Sequence, residues 1–535
     1  MRSAKILAKG AAHQALTIGH VFRPLVLVVE RKQVTAPEVP VEGLSVSDTR
    51  GKWVLFAMVL GSGIVFLDST AVNVALPAIG HDFKVGLSDL QWTITAYTLT
   101  LSAFLLLGGA LGDRFGRRRL ILIGLIWFTV ASMICGVAPS PGWLIAARAA
   151  QGIGGALLTP GTLAIIEASF RPAERGRAIG AWSGFGGIFG ALGPFLGGLL
   201  VQWVSWRLVF FINAPITAVT IWVVVRHVPE SRQSETVGPL DVQGPLLAAL
   251  GFGGVTYALI EGPGKGWGST AILGSLTIGL LLLASFIVNE ARHPSPVLPL
   301  NLFRSRQFVG ANGATFAIYA ALGAVTFLLI LQLQVVLHYS PLEAGVALMP
   351  LTLILLCFSS TSGRLADRIG PRLPMTLGPI IAACGMALFV RVVPGASYVT
   401  GVLPGALVFG IGMVLTVPAL TTTALGAVEP DRAGVASAVN NDVARIGGLI
   451  AVSVIPALAG ITSQASGTMA LGQTSGFRTA MLICAALCAS GGVVSFVAIR
   501  SPRSSPAPEI VPFSCPMTGP PQGELARIAD QPPGT

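Results

Sequence analysis

The sequence predicts an all-α integral membrane protein of about fourteen transmembrane helices, arranged as two six-helix halves with two extra helices between them. Three observations carry this expectation. Of 535 residues, 53% are hydrophobic and only 11% charged, far from the balance of a soluble domain. Apolar runs of about twenty residues, the length an α-helix needs to cross a hydrocarbon core, recur between Gly, Pro and charged punctuation. Finally, the basic turn GALGDRFGRRR at Gly109–Arg119 returns as GRLADRIGPR at Gly363–Arg372, in the same relative place within a six-helix half.

In chain order, residues 1–52 are mixed and unpatterned, with Lys5 and Lys9 interrupting any signal-peptide core; a cytosolic tail is expected. Residues 53–226 hold the first six-helix bundle, with spans at 53–76, 90–111, 120–138, 143–168, 177–200 and 207–226. Residues 227–306 hold the extra pair, at 240–260 and 270–289, with flanking loops. Residues 307–499 hold the second six-helix bundle, at 308–338, 342–362, 374–392, 398–424, 434–460 and 478–499. Residues 500–535, rich in Pro and Ser, read as a disordered cytosolic tail.

Loop charge gives orientation. With a cytosolic amino terminus, the inside loops carry sixteen Lys or Arg, against Lys84, Arg207, Lys265, Arg391 and Arg478 on the other face. That is the positive-inside pattern of a multi-pass cell-membrane protein with both termini cytosolic. Trp53, Trp92, Trp143, Trp203, Trp206, Trp222 and Trp267 fall at span ends, as an interfacial belt predicts. The net charge of +11 would suggest nucleic acid in a soluble chain, but here it follows the loops, so no nucleic-acid partner is expected. Six scattered cysteines imply no disulfide framework; Cys484 and Cys488 share a face without the His or carboxylate company of a metal site. Neither a metal nor a cofactor is expected.

Within the first span, LDSTAVNVALPAI at Leu67–Ile79 places Asp68 well inside the hydrocarbon, at a cost of at least ~2.5 kcal/mol for an ionised carboxylate. Asp68 is either a structural acid paired with a neighbouring helix or a group that binds and releases a proton during transport. Ser62, Ser69 and Asn73 form a polar stripe beside it, and Pro77 is expected to end the span. Arg148, in LIAARAAQGIGGA of the fourth span, cannot shed its charge and needs an acceptor; Asp68 is the natural one. The pair is either static or loosened by protonation of Asp68, which would bias the conformation. Glu167, near the cytosolic end of that helix, can reach water and is the weaker functional candidate.

In GALGDRFGRRR, Gly109 and Gly116 allow a tight turn, Asp113 can accept from a helix amino terminus, and Arg114, Arg117 and Arg118 can hold acidic groups or lipid phosphates. A topology anchor would account for the arginines alone. The repeated spacing, with Asp367 and Arg368 in the second half, points instead to a gate latch. In the fifth span, Gly190, Gly193 and Gly197 share a face beside Pro194 and Gly198, which suits close helix packing and a kink.

Together these stretches, with QWTITAY at Gln91–Tyr97 and Gln151 and Gly152 beside Arg148, resemble the major facilitator superfamily, in particular its fourteen-helix drug:proton antiporter subfamily. The likeness runs from about Trp53 to Arg500. It implies a fold of two halves, and efflux of small hydrophobic or amphiphilic drugs, antibiotics or metabolites against protons. It further implies coupling by Asp68 and Arg148, gating by Asp113 and its arginines, and an antiporter helix at Gly193-Pro194. One position departs from the pattern: Phe189 stands where a small residue is expected.

In the thirteenth span, AGVASAVNNDVARIGG brings Asn440, Asn441, Asp442 and Arg445 within about a turn and a half. Asp442 and Arg445 either neutralise one another or line a cavity from the second half. Substrate-cavity candidates are Asn73, Trp92, Tyr97, Gln151, Asn440, Asn441, Asp442 and Arg445. The expected partners are an amphiphilic small molecule, protons and the bilayer, and a monomer is expected.

An uptake symporter is the alternative, since one fold serves both directions. A membrane enzyme, with catalytic residues, is not expected: the sequence has no HExxH and no Gly-x-Ser-x-Gly elbow. Nor does it have the phosphate loop of an ATP-driven pump, GPGKGWGS at Gly262–Ser269 lacking the spacing. Short loops also speak against a receptor.

Overall fold

A computed structural model describes residues 43–232, 239–429, 432–461 and 474–500. The tails expected at 1–52 and 500–535 fall outside these residues except for 43–52 and Arg500. Among the described residues, fourteen helices are long and apolar enough to cross a membrane. They are α1 (Thr49–Phe83), α2 (Leu87–Phe115), α3 (Arg117–Gly136), α4 (Pro141–Ser169), α5 (Pro172–Trp203), α6 (Leu208–His227), α7 (Gln243–Lys265), α8 (Thr270–Arg292), α9 (Arg306–Val336), α10 (Pro341–Ile369), α11 (Arg372–Arg391), α12 (Tyr398–Gly426), α13 (Gly434–Leu458) and α14 (Ser475–Ala498). The fold is all-α, as the apolar runs predict.

Most helices outrun their predicted spans, because hydropathy marks the hydrocarbon and stops at the first charges. Helix α1 begins at Thr49, inside the segment read as tail, and Leu44 just before it bridges to Phe170. The other end corrects the expectation for Pro77. The helix passes through that residue and closes at Lys84, whose left-handed backbone returns an N–H bond to the Gly80 carbonyl. A proline removes one backbone bond and bends a helix; here Leu76, Ile79 and Gly80 are buried on either side of it, and packing outweighs the lost bond. Helix α6 is made of two pieces that meet at Ile212, and Asn213 opens the longer one.

The turns carrying Gly109–Arg119 and Gly363–Arg372 define a basic face, and the two halves are joined toward the opposite face. There one continuous core takes in Ala71, Ala75, Ile79 and Leu90 from the first half and Leu328, Leu331, Val452 and Ile455 from the second. Among the described residues, three hydrogen bonds cross the halves in this region: Gln91 Nε2 to the Val452 carbonyl at 2.6 Å, Gln334 Nε2 to the Val74 carbonyl at 3.0 Å, and the Leu342 amide to Gln202 Oε1 at 3.2 Å. Helix α5 touches α10 there as well: a methyl added to Gly198 would come within 2.6 Å of the Pro341 carbonyl. Nearer the basic face, a methyl on Gly176, Gly180, Gly184, Gly187 or Gly190 of α5 would meet open space. The halves therefore close at one end and part toward the other. The extra pair packs against α2 and α13 through α7, over one seam between the halves, while α5 and α10 line the other.

Most of the tryptophans placed at span ends are exposed there, Trp143, Trp203 and Trp267 among them. Trp206 departs from the expected belt. It is buried, stacks edge-on to Phe83 and Phe210, and donates to Asp82 Oδ2 at 3.0 Å.

Candidate functional site

Asp68 is fully buried at the middle of α1, and the acceptor demanded by Arg148 of α4 is this carboxylate. Arg148 Nη1 donates to Asp68 Oδ2 at 2.6 Å. The second carboxylate oxygen, Oδ1, accepts from Gln151 Nε2 at 2.8 Å and from Asn213 Nδ2 at 2.9 Å. Three donors from two helices thus converge on one carboxylate, and both of its oxygens are satisfied.

The guanidinium is equally constrained. Its Nη1 also donates to Gln151 Oε1 at 2.7 Å, and its Nε donates to the Thr93 carbonyl at 3.1 Å. Its flat face lies on the Tyr97 ring, with the central carbon 4.1 Å from the ring centre and Phe210 on another side at 5.8 Å. An aromatic face attracts a desolvated cation, by about 2 kcal/mol or more. Ser132 extends the network, accepting from Asn213 and donating to the Phe210 carbonyl, each at 2.9 Å. Helices α1, α2, α3, α4 and α6 therefore meet at one buried ionic centre.

Of the residues singled out in the sequence, Asp68, Tyr97, Arg148 and Gln151 come together here. Sequence reasoning missed Asn213, Ser132 and the Thr93 carbonyl. Asn213 could have been found, since an amide inside the apolar run VFFINAPITA is as conspicuous as the acid it serves. Asn73 donates to its own helix at Ser69, and Trp92 is turned toward α7, where its indole donates to Glu261 Oε1 at 3.2 Å. On α13, Asn440 ties to α9 through Asn312 and Thr315, at 3.1 and 2.8 Å, while Asn441 is exposed and bonds to the Ser437 carbonyl. Asp442 is buried, and no ion pair joins it to Arg445 among the described residues. Glu167 is half-buried.

The basic turn differs from expectation in one respect. Asp113 accepts from the Arg117 side chain, at 2.9 Å from Nε and 2.7 Å from Nη2, and Arg117 reaches on to the Ala164 carbonyl at 3.0 Å. The acid at the amino terminus of α3 is instead Glu230, which accepts from the Arg118 amide at 3.0 Å and the Arg119 amide at 3.3 Å. Gly116 makes room for it. Its φ is +104° and a methyl there would stand 2.7 Å from the Glu230 carboxylate, so both backbone and space require glycine. Arg114, by contrast, lies over Phe115. In the repeat, the position matching Arg117 is Pro371, so Asp367 lacks the side-chain donor that Asp113 has. There Arg372 turns to Phe496, donating to its carbonyl at 3.1 Å.

Helix α5 lies directly on α1. A methyl on Gly193 would collide with Thr70 Oγ1, and one on Gly197 would come within 2.8 Å of the Ala71 carbonyl. Gly190, one turn earlier, has open space beside it, so the close contact on this face begins at Gly193. Phe189, the departure noted in the sequence, lies over Gly63 of α1, where a methyl would come within 2.6 Å of its ring. The small residue of that contact is on α1 instead of α5.

Residues 58–452 match the family model described as Major Facilitator Superfamily. Over 427 residues the chain is 36% identical to the puromycin resistance protein pur8 of Streptomyces alboniger, covering 78% of this chain and 84% of that protein. Over 416 residues it is 32% identical to the tetracenomycin C resistance and export protein of Streptomyces glaucescens, covering 77% of each. Among solved structures, a bacterial homolog of the human lysosomal transporter Spinster, in an inward-facing and unoccupied conformation, superposes with a TM-score of 0.59 at 20% identity. It covers 84% of this chain and 97% of that one, a likeness of fold.

Proposed function

The chain belongs to the Major Facilitator Superfamily, and from that premise we propose that it exports small hydrophobic or amphiphilic compounds in exchange for protons. Resistance and export in the relatives' names support the direction. The observation that carries the coupling is the buried Asp68 carboxylate gripped by Arg148, Gln151 and Asn213.

These donors match an ionised Asp68. A proton on Oδ1 or Oδ2 replaces an acceptor by a donor, sets it against Gln151, Asn213 or Arg148, and removes the charge that offsets the buried guanidinium. The arrangement in which the halves part toward the basic face is therefore the one favoured without the proton. With the basic face and both termini in the cytosol, this form releases its proton inward and receives drug from the cytosolic side. Protonation of Asp68 from outside loosens the pair in the alternate form. That is the order of events an antiporter needs. The Asp113–Arg117 pair and the Asp367–Arg368 turn serve as the gate on the basic face, and Gly193, Pro194, Gly197 and Gly198 hold α5 against α1 and α10.

Cells that express the protein should lose ethidium faster than cells without it, and a protonophore should stop that loss. Efflux indifferent to the protonophore would refute the coupling.

A further inference from the structure

Away from this site, at the basic-face root of the extra helix pair, two acids are buried together. Asp241, just before α7, and Glu290, near the end of α8, are each only 2% exposed. Asp241 Oδ1 accepts from the Gly244 amide at 2.9 Å and Oδ2 from Asn289 Nδ2 at 2.9 Å. Glu290 Oε2 accepts from the Leu298 amide at 2.8 Å. Its other oxygen, Oε1, is buried and has no hydrogen-bond partner among the described residues. That oxygen and Asp241 Oδ2 crowd the same point: a methyl on Gly244 would collide with Glu290 Oε1 and stand 2.6 Å from Asp241 Oδ2. No Lys or Arg among the described residues forms an ion pair with either acid.

Two carboxylates facing one another in a dry site cannot both stay ionised, and one proton between them converts repulsion into a hydrogen bond. It also supplies the one partner that Glu290 Oε1 lacks. We propose that Asp241 and Glu290 hold a single shared proton, and that this pair is a pH-sensitive clasp fastening the start of α7 to the end of α8. The other titratable group beside Glu290 is His293, on the segment after α8, whose Nδ1 accepts from the Ser295 amide at 3.2 Å. Because α7 packs against both α2 and α13, the clasp anchors the helix that covers the seam between the halves. The sign follows from the proton: the folded pair binds it more tightly than the unfolded chain does. Stability is therefore full in acid and declines as pH rises above the ordinary carboxyl range.

Glu290→Gln is the direct test, because its amide donates to Asp241 as the protonated acid does while its oxygen keeps the Leu298 contact. Asp241→Asn offers the same bond in the opposite sense, with the Asn289 amide turned over to present its oxygen to the new NH2. The full chain in lipid nanodiscs is titrated upward in pH, following the protonated-carboxyl stretch in the infrared and the melting temperature. The wild type should lose one such band and melt at falling temperature. Glu290→Gln should lack that band and show a flatter melting profile, while His293→Asn should behave as wild type. If Glu290→Gln does not fold, the same two readings on Asp241→Asn decide. Profiles in the folded variants indistinguishable from wild type, or a response that disappears with His293→Asn, overturn the clasp.

Discussion

Asp68 and Arg148 stand 2.6 Å apart, Oδ2 to Nη1, with neither side chain reaching solvent. Removing one member of such a pair strands the other, at about 3–5 kcal/mol, whereas removing both with apolar replacements is far less costly. Asp68→Asn and Arg148→Met should each lower the melting temperature of the purified protein, and the double variant should recover most of the loss. Efflux should be absent in all three although the protein still reaches the membrane. Thermal unfolding in detergent together with dye efflux from cells reads both effects.

Arg148→Lys keeps the charge and loses the shape. A lysine ammonium cannot hold Asp68, Gln151 and the Thr93 carbonyl while lying flat on Tyr97. Each charge-assisted bond is worth about 1.5–3 kcal/mol, so efflux should fall by roughly tenfold or more. Wild-type rates in the lysine variant would show that only charge matters there.

Two glycines in one motif should behave oppositely. Gly193→Ala drives a methyl into Thr70, whereas Gly190→Ala places it in open space. The first should reduce the yield of monodisperse protein and abolish efflux. The second should fold at least as well, since alanine in a helix gains about 0.5–1 kcal/mol over glycine. Size-exclusion profiles of the two variants make the comparison.

The Gly63–Phe189 contact predicts a rescue. Gly63→Ala presses on the Phe189 ring and should weaken the α1–α5 junction, and adding Phe189→Ala should restore part of the stability by opening space. Melting temperatures of the single and double variants test this. Equal values would mean that the ring moves aside freely.

These contacts also mark how far the sequence could be read. Fourteen apolar runs, two matching basic turns and a lone acid facing a lone arginine are legible because hydrocarbon penalises charge and exposed backbone so heavily. Each such feature must have a partner or a boundary. What stays hidden is the choice between partners of equal chemistry. Asp113 and Glu230 were both fit to meet the amino terminus of α3, and only the path of the chain after α6 brings Glu230 there. Phe189 read as a departure because its complement, Gly63, lies 126 positions away on another helix. Pro77 read as an end because the packing that carries α1 past it comes from other helices.

The central claim is that Asp68 exchanges a proton as the halves alternate. Its most direct measurement is transport by the purified protein in sealed vesicles, with an imposed pH gradient and ethidium as the probe. The account predicts ethidium movement that reverses with the gradient and carries a countercurrent of protons, both lost in Asp68→Asn. Gradient-driven exchange at the wild-type rate in Asp68→Asn, or wild-type movement indifferent to the gradient, would contradict it.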